Sequence, residues 1–273
     1  MARHSSASAR LSYSMNEWPT NRLGSLPIVR AGMEESADAF IRLALERRGA
    51  GGRPFYSTSA NGHVIALCEH DANFRSMTRQ ADQIHADGMS VVLFSRLSST
   101  EPLPERVATT DLVHAVAERA AKAGVSFYFL GASEEVNARA VENISNAYPG
   151  LGFAGRRNGY FDRAEEEAVV EAINAAAPDI LWIGFGVPLE QQFVVRNINR
   201  LHNVGLIKTS GGLFDFLAGS KSRAPQWMQR MGLEWLYRMI LEPRRLAKRY
   251  LTTNPVAIYA MLRHSLRALA AGR

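Results

Sequence analysis

The chain has 273 residues, 47% of them apolar, a formal net charge of +6 and an isoelectric point near 9.7. That content supports a substantial buried core. The single cysteine, Cys68, excludes an internal disulfide, and no Cys/His cluster has zinc-site spacing. No run approaches the roughly 18 apolar residues of a spanning helix. Met1 to Arg10 is rich in Ser, Ala and Arg and lacks the apolar centre of a secretory signal. A soluble or peripheral protein working in the cytosol is expected. The charge is uneven: residues 219–273 hold eleven Lys/Arg against two Glu, a balance of +9, and the remainder sums to −3. A basic end on a near-neutral body implies an anionic partner.

In chain order, residues 1–26 show little pattern and read as a mobile segment. The spacing of Ala37, Phe40, Ile41 and Leu45 predicts an amphipathic helix over 34–48. A strand is expected at 55–60, then one helix over 62–80 with Val64, Ile65, Leu67 and Cys68 on its apolar side. Residues 83–86 read as a strand, and 90–94 as either strand or helix. Then comes a clear alternation: helix 111–123 ended by Gly124, strand 125–130, helix 134–148 closed by Pro149 and Gly150, and strand 152–155. It continues with helix 165–176 stopped by Pro178, strand 180–184, helix 189–203 and strand 206–209. Such alternation implies an α/β fold, a Rossmann-like parallel sheet covered by helices on both faces, with ligands outside the C-terminal strand ends. Past Phe216 the chain turns basic and aromatic, with Pro225, Pro243 and Pro255 as punctuation. The expected organisation is a mobile segment 1–26, a Rossmann-like domain 27–225, and a basic helical appendage 226–273.

Several loops have the residue types for chemistry. Ser57 to Gly62 joins a strand to a helix, and its hydroxyls suit either an N-cap or an anion or sugar. Asp87-Gly88 offers a carboxylate at a strand end, as a general base or a turn, with Asp82 and Asp111 as rivals. The run from Gly184 and Gly186 through Glu190 and Gln191 suits nucleotide recognition but is not a dinucleotide fingerprint. Gly211-Gly212 with Asp215 makes a further such point. In the basic end, Arg238, Arg244, Arg245, Lys248 and Arg249 interleave with Trp227, Trp235, Tyr237, Ile240 and Leu241. That pattern fits a membrane-surface helix, a solvated helix packed on the core, or a nucleic-acid patch without an established motif.

Taken together, the loops resemble those of the WecG/TagA/CpsF family of bacterial glycosyltransferases, from about Phe55 to Tyr250. The resemblance lies in Asn61, Ala81-Asp82 and Asp87-Gly88; Glu105-Arg106-Val107; Phe129-Leu130-Gly131-Ala132; Tyr148-Pro149-Gly150; Gly159-Tyr160-Phe161; Ala177-Pro178-Asp179; and Gly184-Phe185-Gly186-Val187-Pro188. It continues in Phe214-Asp215-Phe216-Leu217-Ala218-Gly219, Arg223-Ala224-Pro225, Gly232-Leu233-Glu234-Trp235-Leu236-Tyr237-Arg238 and Glu242-Pro243-Arg244-Arg245. The resemblance implies inverting transfer of a hexose from a UDP-sugar to a polyprenyl-diphosphate-linked saccharide at the inner face of the membrane. It implies no metal and no cofactor beyond the UDP-sugar substrate. The products would be cell-wall polymers or exopolysaccharide. Asp87 then matches the base, Ser59 and Asn61 line the pocket, and Arg106, Gly131, Gly184, Gly186, Glu190, Gln191 and Asp215 surround the substrates. Arg223, Arg238 and Arg245 are the expected diphosphate cations, and homo-oligomers are possible. Ser59 stands where the family usually has Thr, and Glu190-Gln191 reverses the family's usual Gln-Glu order, which leaves the sugar open. The rivals are a nucleotide-dependent oxidoreductase, which predicts a missing Gly-X-Gly-X-X-Gly turn, and a non-enzymatic basic membrane adaptor.

Overall fold

The computed structural model describes residues 18–271, apart from the side chains at positions 230, 245 and 264–271. It opens with an antiparallel hairpin, β1 (Thr20–Leu23) and β2 (Leu26–Val29), turning through Gly24 at φ +60°. Leu23, Leu26 and Ile28 are buried, so apolar packing orders the last part of the segment read from sequence as mobile. Helix α1 (Met33–Arg47) follows.

Six parallel strands form the main sheet: β3 (Phe55–Ala60), β4 (Gln83–Ala86), β5 (Ser126–Gly131), β6 (Gly152–Arg157), β7 (Ile180–Gly184) and β8 (Leu206–Thr209). Their order is β4-β3-β8-β7-β5-β6, so the last strand lies in the middle. The connections carry α2 (Gly62–His70), α3 (Ala72–Thr78), α4 (Met89–Ser98), α5 (Thr109–Ala123), α6 (Glu134–Ala147), α7 (Glu166–Ala176) and α8 (Leu189–Asn197). After β8 come α9 (Leu213–Leu217), α10 (Gln226–Arg230), α11 (Glu234–Leu241) and α12 (Pro243–Ala271).

The α/β architecture is the one that the alternation implied. Along β7, Ile180 and Trp182 face a core shared with α1, α5 and α6, while Leu181 and Ile183 face Phe193 and Val194 of α8. Strand side chains alternate between faces, so each strand feeds both cores. Three local expectations change; the first is the helix predicted over 189–203, which ends at Asn197. The predicted helix over 62–80 breaks at Asp71, which leaves helical geometry (φ −122°, ψ 107°) and caps the amides of Asn73 and Phe74. The ambiguous run at 90–94 is part of helix α4, with Val91, Val92 and Ser95 buried along one face.

A third core joins the hairpin, α2 and α4 to the C-terminal end of the chain. Ala257, Ala260 and Met261 of α12 are buried there beside Leu23 and Ile65. The basic appendage is thus packed on the α/β body through α12. Helix α11, in contrast, has no buried residue.

Candidate active site

The C-terminal strand ends meet in a cleft of about 470 Å³. Ser59 and Asn61 reach it from β3, Asp87 from β4, Ala132 and Ser133 from β5, Gly184 to Val187 from β7, and Thr209 to Gly212 from β8. Glu190, Asp215, Arg238 and Arg249 also line it. A second cavity of about 340 Å³ opens between Met89, Gly232, Trp235, Tyr250, Ala257, Ile258 and Met261. Asn61, His63, Asp87, Thr110, Phe216, Arg238 and Arg249 line both. Asp87 therefore stands where a polar cleft meets a more apolar one roofed by α11 and α12.

Local structure explains how Asp87 gets there. Strand β4 ends at Ala86, and the Asp87 amide donates to the Ala60 carbonyl at 2.9 Å, extending the β3–β4 ladder by one residue. Gly88 then starts α4 as a bare N-cap, packed against the Asn61 backbone and Cβ closely enough that a Cβ there would lie 3.3 Å away. Among the described residues, the Asp87 carboxylate has no hydrogen-bonded or ion-paired partner. Burial raises its pKa to about 6, with Lys208, Arg106 and Arg238 pulling it down and Glu234 pushing it up. The rival carboxylates are engaged. Asp82 lies at the opposite end of β4, paired with Arg53 at 2.7 Å and accepting the Tyr56 amide at 2.8 Å. Asp111 pairs with Arg223 and, at 3.6 Å, with Arg106.

Asn61 caps α2 by accepting the Val64 amide at 3.2 Å, and its amide group borders both cavities. Ser59 accepts from the Lys208 ammonium at 2.7 Å and sits 3.2 Å from the Thr109 hydroxyl. Gly131 and Gly184 let the β5 and β7 tips touch: a Cβ on Gly131 would lie 2.4 Å from the Gly184 carbonyl oxygen. Gly186 takes φ +79° in the turn before the cis Val187-Pro188 bond. Glu190 is buried and accepts the Gly211 amide at 2.8 Å; burial pushes its pKa up to about 7. Gln191 is buried one position on, near Thr58, and does not reach the cleft wall. Asp215 pairs with Lys221 at 2.8 Å at the cleft edge.

The expected cations separate. Arg238 lines both cavities, its guanidinium 5.6 Å from the Phe216 ring centroid. Arg223 is committed to Asp111 and to Gln229 at 2.7 Å and does not line the cleft. Arg106 is held at 2.7 Å by Glu234 of α11, with both side chains largely buried. The Arg245 side chain lies outside the described residues. Two residues were not among the site candidates expected from the sequence. Arg249 borders both cavities. Lys208 is fully buried beneath Ser59, and its only sequence signal is a charge inside the apolar strand Leu206-Ile207-Lys208-Thr209.

Among the described residues, no group of three or more His, Cys, Asp or Glu is placed to hold a metal ion, and no helix is long and apolar enough to cross a membrane. What the cleft can do is remove a proton next to a bound anion: it offers one unpaired carboxylate, hydroxyl donors, and guanidinium groups at its mouth. A sequence model described as the glycosyl transferase WecG/TagA/CpsF family matches residues 22–271. A relative from Bacillus spizizenii, N-acetylglucosaminyldiphosphoundecaprenol N-acetyl-beta-D-mannosaminyltransferase, is 29% identical over 209 residues, covering 77% of this chain and 79% of the relative.

Proposed function

The chain belongs to the glycosyl transferase WecG/TagA/CpsF family, and from that premise we propose that it moves a hexose from a UDP-sugar to a polyprenyl-diphosphate-linked saccharide, with inversion, at the inner membrane face. The observation that carries this reading is the position of Asp87, unpaired and lining both cavities. In this reading the polar cleft takes the UDP-sugar and the neighbouring cavity takes the acceptor. The Asp87 carboxylate removes the proton of the acceptor hydroxyl as its oxygen attacks the anomeric carbon, and the bond to the UDP oxygen breaks on the opposite face. Charge grows on the departing diphosphate. Arg238 and Arg249 border that space and would neutralise it.

The acceptor follows from the relative's name, in which the sugar is carried on diphosphoundecaprenol. N-acetylmannosamine is the donor sugar to try first. Glucose and a uronic acid come next, because Glu190 and Gln191 reverse the family's usual order. The exposed apolar residues Ile240, Leu241 and Leu251, set among Arg244 and Lys248, suit peripheral docking on anionic lipid.

The test is transfer from a panel of UDP-hexoses to a polyprenyl-diphosphate N-acetylglucosamine analogue, with wild type and Asp87→Asn. Transfer by wild type, with a loss of about a hundredfold or more in Asp87→Asn, is expected. Equal rates would remove Asp87 from the chemistry, and no transfer from any donor would overturn the function.

A further inference from the structure

The register of the sheet places a charge where a strand core normally has none. Ser57 of β3 pairs with Lys208 of β8, and Ser59 pairs with His85 of β4. Aligned residues of neighbouring parallel strands share a face, so Ser57, Ser59, His85 and Lys208 all lie on one side of the sheet. The Lys208 stem runs toward the C-terminal strand ends and spans two residues of β3 to reach the Ser59 hydroxyl at 2.7 Å. Lys208 is fully buried and does not line the cleft, whereas Ser59 and Asp87 do.

An ammonium group can only donate. Ser59 must therefore accept from Lys208, and its own O–H is left to point at Thr109, 3.2 Å away, or at a ligand in the cleft. Burying an isolated ammonium is costly, and this one has two carboxylates for company. Asp87 and Glu190 both act on it, holding its pKa near 8 against the downward pull of burial. His85, on the same face, is fully buried and kept neutral by burial and by Lys208. The other charges facing Asp87 are Arg106 from the loop before α5, Glu234 and Arg238 from α11, and Arg223.

We propose that Lys208 is a positioning residue for transfer: a cation sealed under the cleft floor that fixes the Ser59 hydroxyl as a donor into the cleft and sets the charge that the Asp87 carboxylate faces from below. It brings positive charge to the reacting centre without being consumed by it, since neither substrate can touch it. The proposal rests on Asp87 as the base.

The experiment combines pH–rate profiles with a carbon-detected NMR titration of the Asp87 carboxyl, in wild type, Lys208→Met, Lys208→Arg and Asp87→Asn. Lys208→Met keeps the length of the stem and removes the charge. It is expected to move the acid limb of kcat/KM upward by about one pH unit, and the Asp87 carboxyl titration with it. The rate loss is then about fivefold at pH 6 and shrinks at pH 8.5, and Lys208→Arg restores the limb. In wild type, which depends on no variant folding, the Asp87 resonance is expected to show a second inflection where Lys208 titrates. An inactive Asp87→Asn combined with an unmoved limb in Lys208→Met, or a single-step wild-type titration, overturns the role of Lys208 and leaves the base intact. A fully active Asp87→Asn overturns the base and this proposal with it.

Discussion

Glu190, in the first turn of α8, grips the loop after β8: its Oε2 accepts the Gly211 N–H at 2.8 Å. Its Oε1 accepts from Gln191 Nε2 at 3.3 Å. One buried carboxylate thus ties together the two glycine loops that form the cleft floor.

That tie gives stability a pH dependence. Burial lifts the Glu190 pKa from 4.5 to about 7. The folded value lies above the unfolded one, so the linked stability is complete below about 4.5 and is lost as pH climbs to about 7. Glu190→Gln has no proton to lose and can still accept from Gly211. Its unfolding free energy from urea titration is expected to gain on wild type across that window, by up to about 3 kcal/mol, and to level off above it. A gap between the two proteins that stays constant with pH would show that Glu190 does not titrate there.

Arg238 and Arg249 border the cleft, and the Arg249 Nε has no hydrogen-bond partner among the described residues. Arg238→Ala and Arg249→Ala should each weaken UDP binding by about five- to tenfold, read by calorimetry at several salt concentrations. Arg223→Ala, by contrast, should leave UDP affinity within about twofold, because Arg223 is spent on Asp111.

Glu234 holds α11 to the body through Arg106 at 2.7 Å. Glu234→Ala leaves Arg106 with Asp111 alone, at 3.6 Å. Breaking a largely buried pair from one side costs about 3 kcal/mol. Because α11 has no buried residue of its own, faster protease cleavage near residues 231–242 is expected while the sheet stays intact. Cleavage at the wild-type rate would mean that other contacts hold the helix.

Gly131 and Gly186 both take positive φ, at 142° and 79°, yet their alanine variants should differ. The Cβ of Gly131→Ala would lie 2.4 Å from a backbone oxygen, which only separation of the β5 and β7 tips can relieve. A loss of about 4 kcal/mol or insoluble protein is expected. Gly186→Ala meets open space and carries only the backbone strain, about 1–2 kcal/mol. Thermal melts of both variants give the comparison.

Ile240, Leu241 and Leu251 are 65%, 53% and 77% exposed. Replacing all three with Ser should change the melting temperature little, since each is more than half exposed, and reduce flotation with anionic vesicles by about tenfold. Unchanged flotation would place membrane contact elsewhere.

Strands β3, β7 and β8 were legible in the sequence to the residue as short apolar or hydroxyl-rich runs between breakers, and β4 as four residues between Asp82 and Asp87-Gly88 with a weaker pattern. The β1–β2 hairpin was not, because four-residue strands with a Gly-Ser turn have too little periodicity to stand out. The break at Asp71 was hidden because apolar spacing continues across it. Composition and spacing left Asp82, Asp87 and Asp111 equivalent, and only the family resemblance favoured one of them. Their difference lies in long-range partners, Arg53 for Asp82 and Arg223 for Asp111, which spacing does not encode. Lys208 was visible as an odd residue in a strand, but its meaning depends on a β3 partner about 150 positions away.

The central place of β8 also sets the order in which the protein can be assembled. Without β8, the strand groups β4-β3 and β7-β5-β6 share no ladder, and each keeps an unpaired edge that only β8 pairs. Those contacts have high sequence separation on the β3 side, so closure of the sheet is late and slow. Lys208 arrives with that closing strand. The half-sheet that bears Ser59 and Asp87 therefore waits for its buried cation until the last joint is made, and a chain stopped short of it has two sticky edges and no assembled cleft.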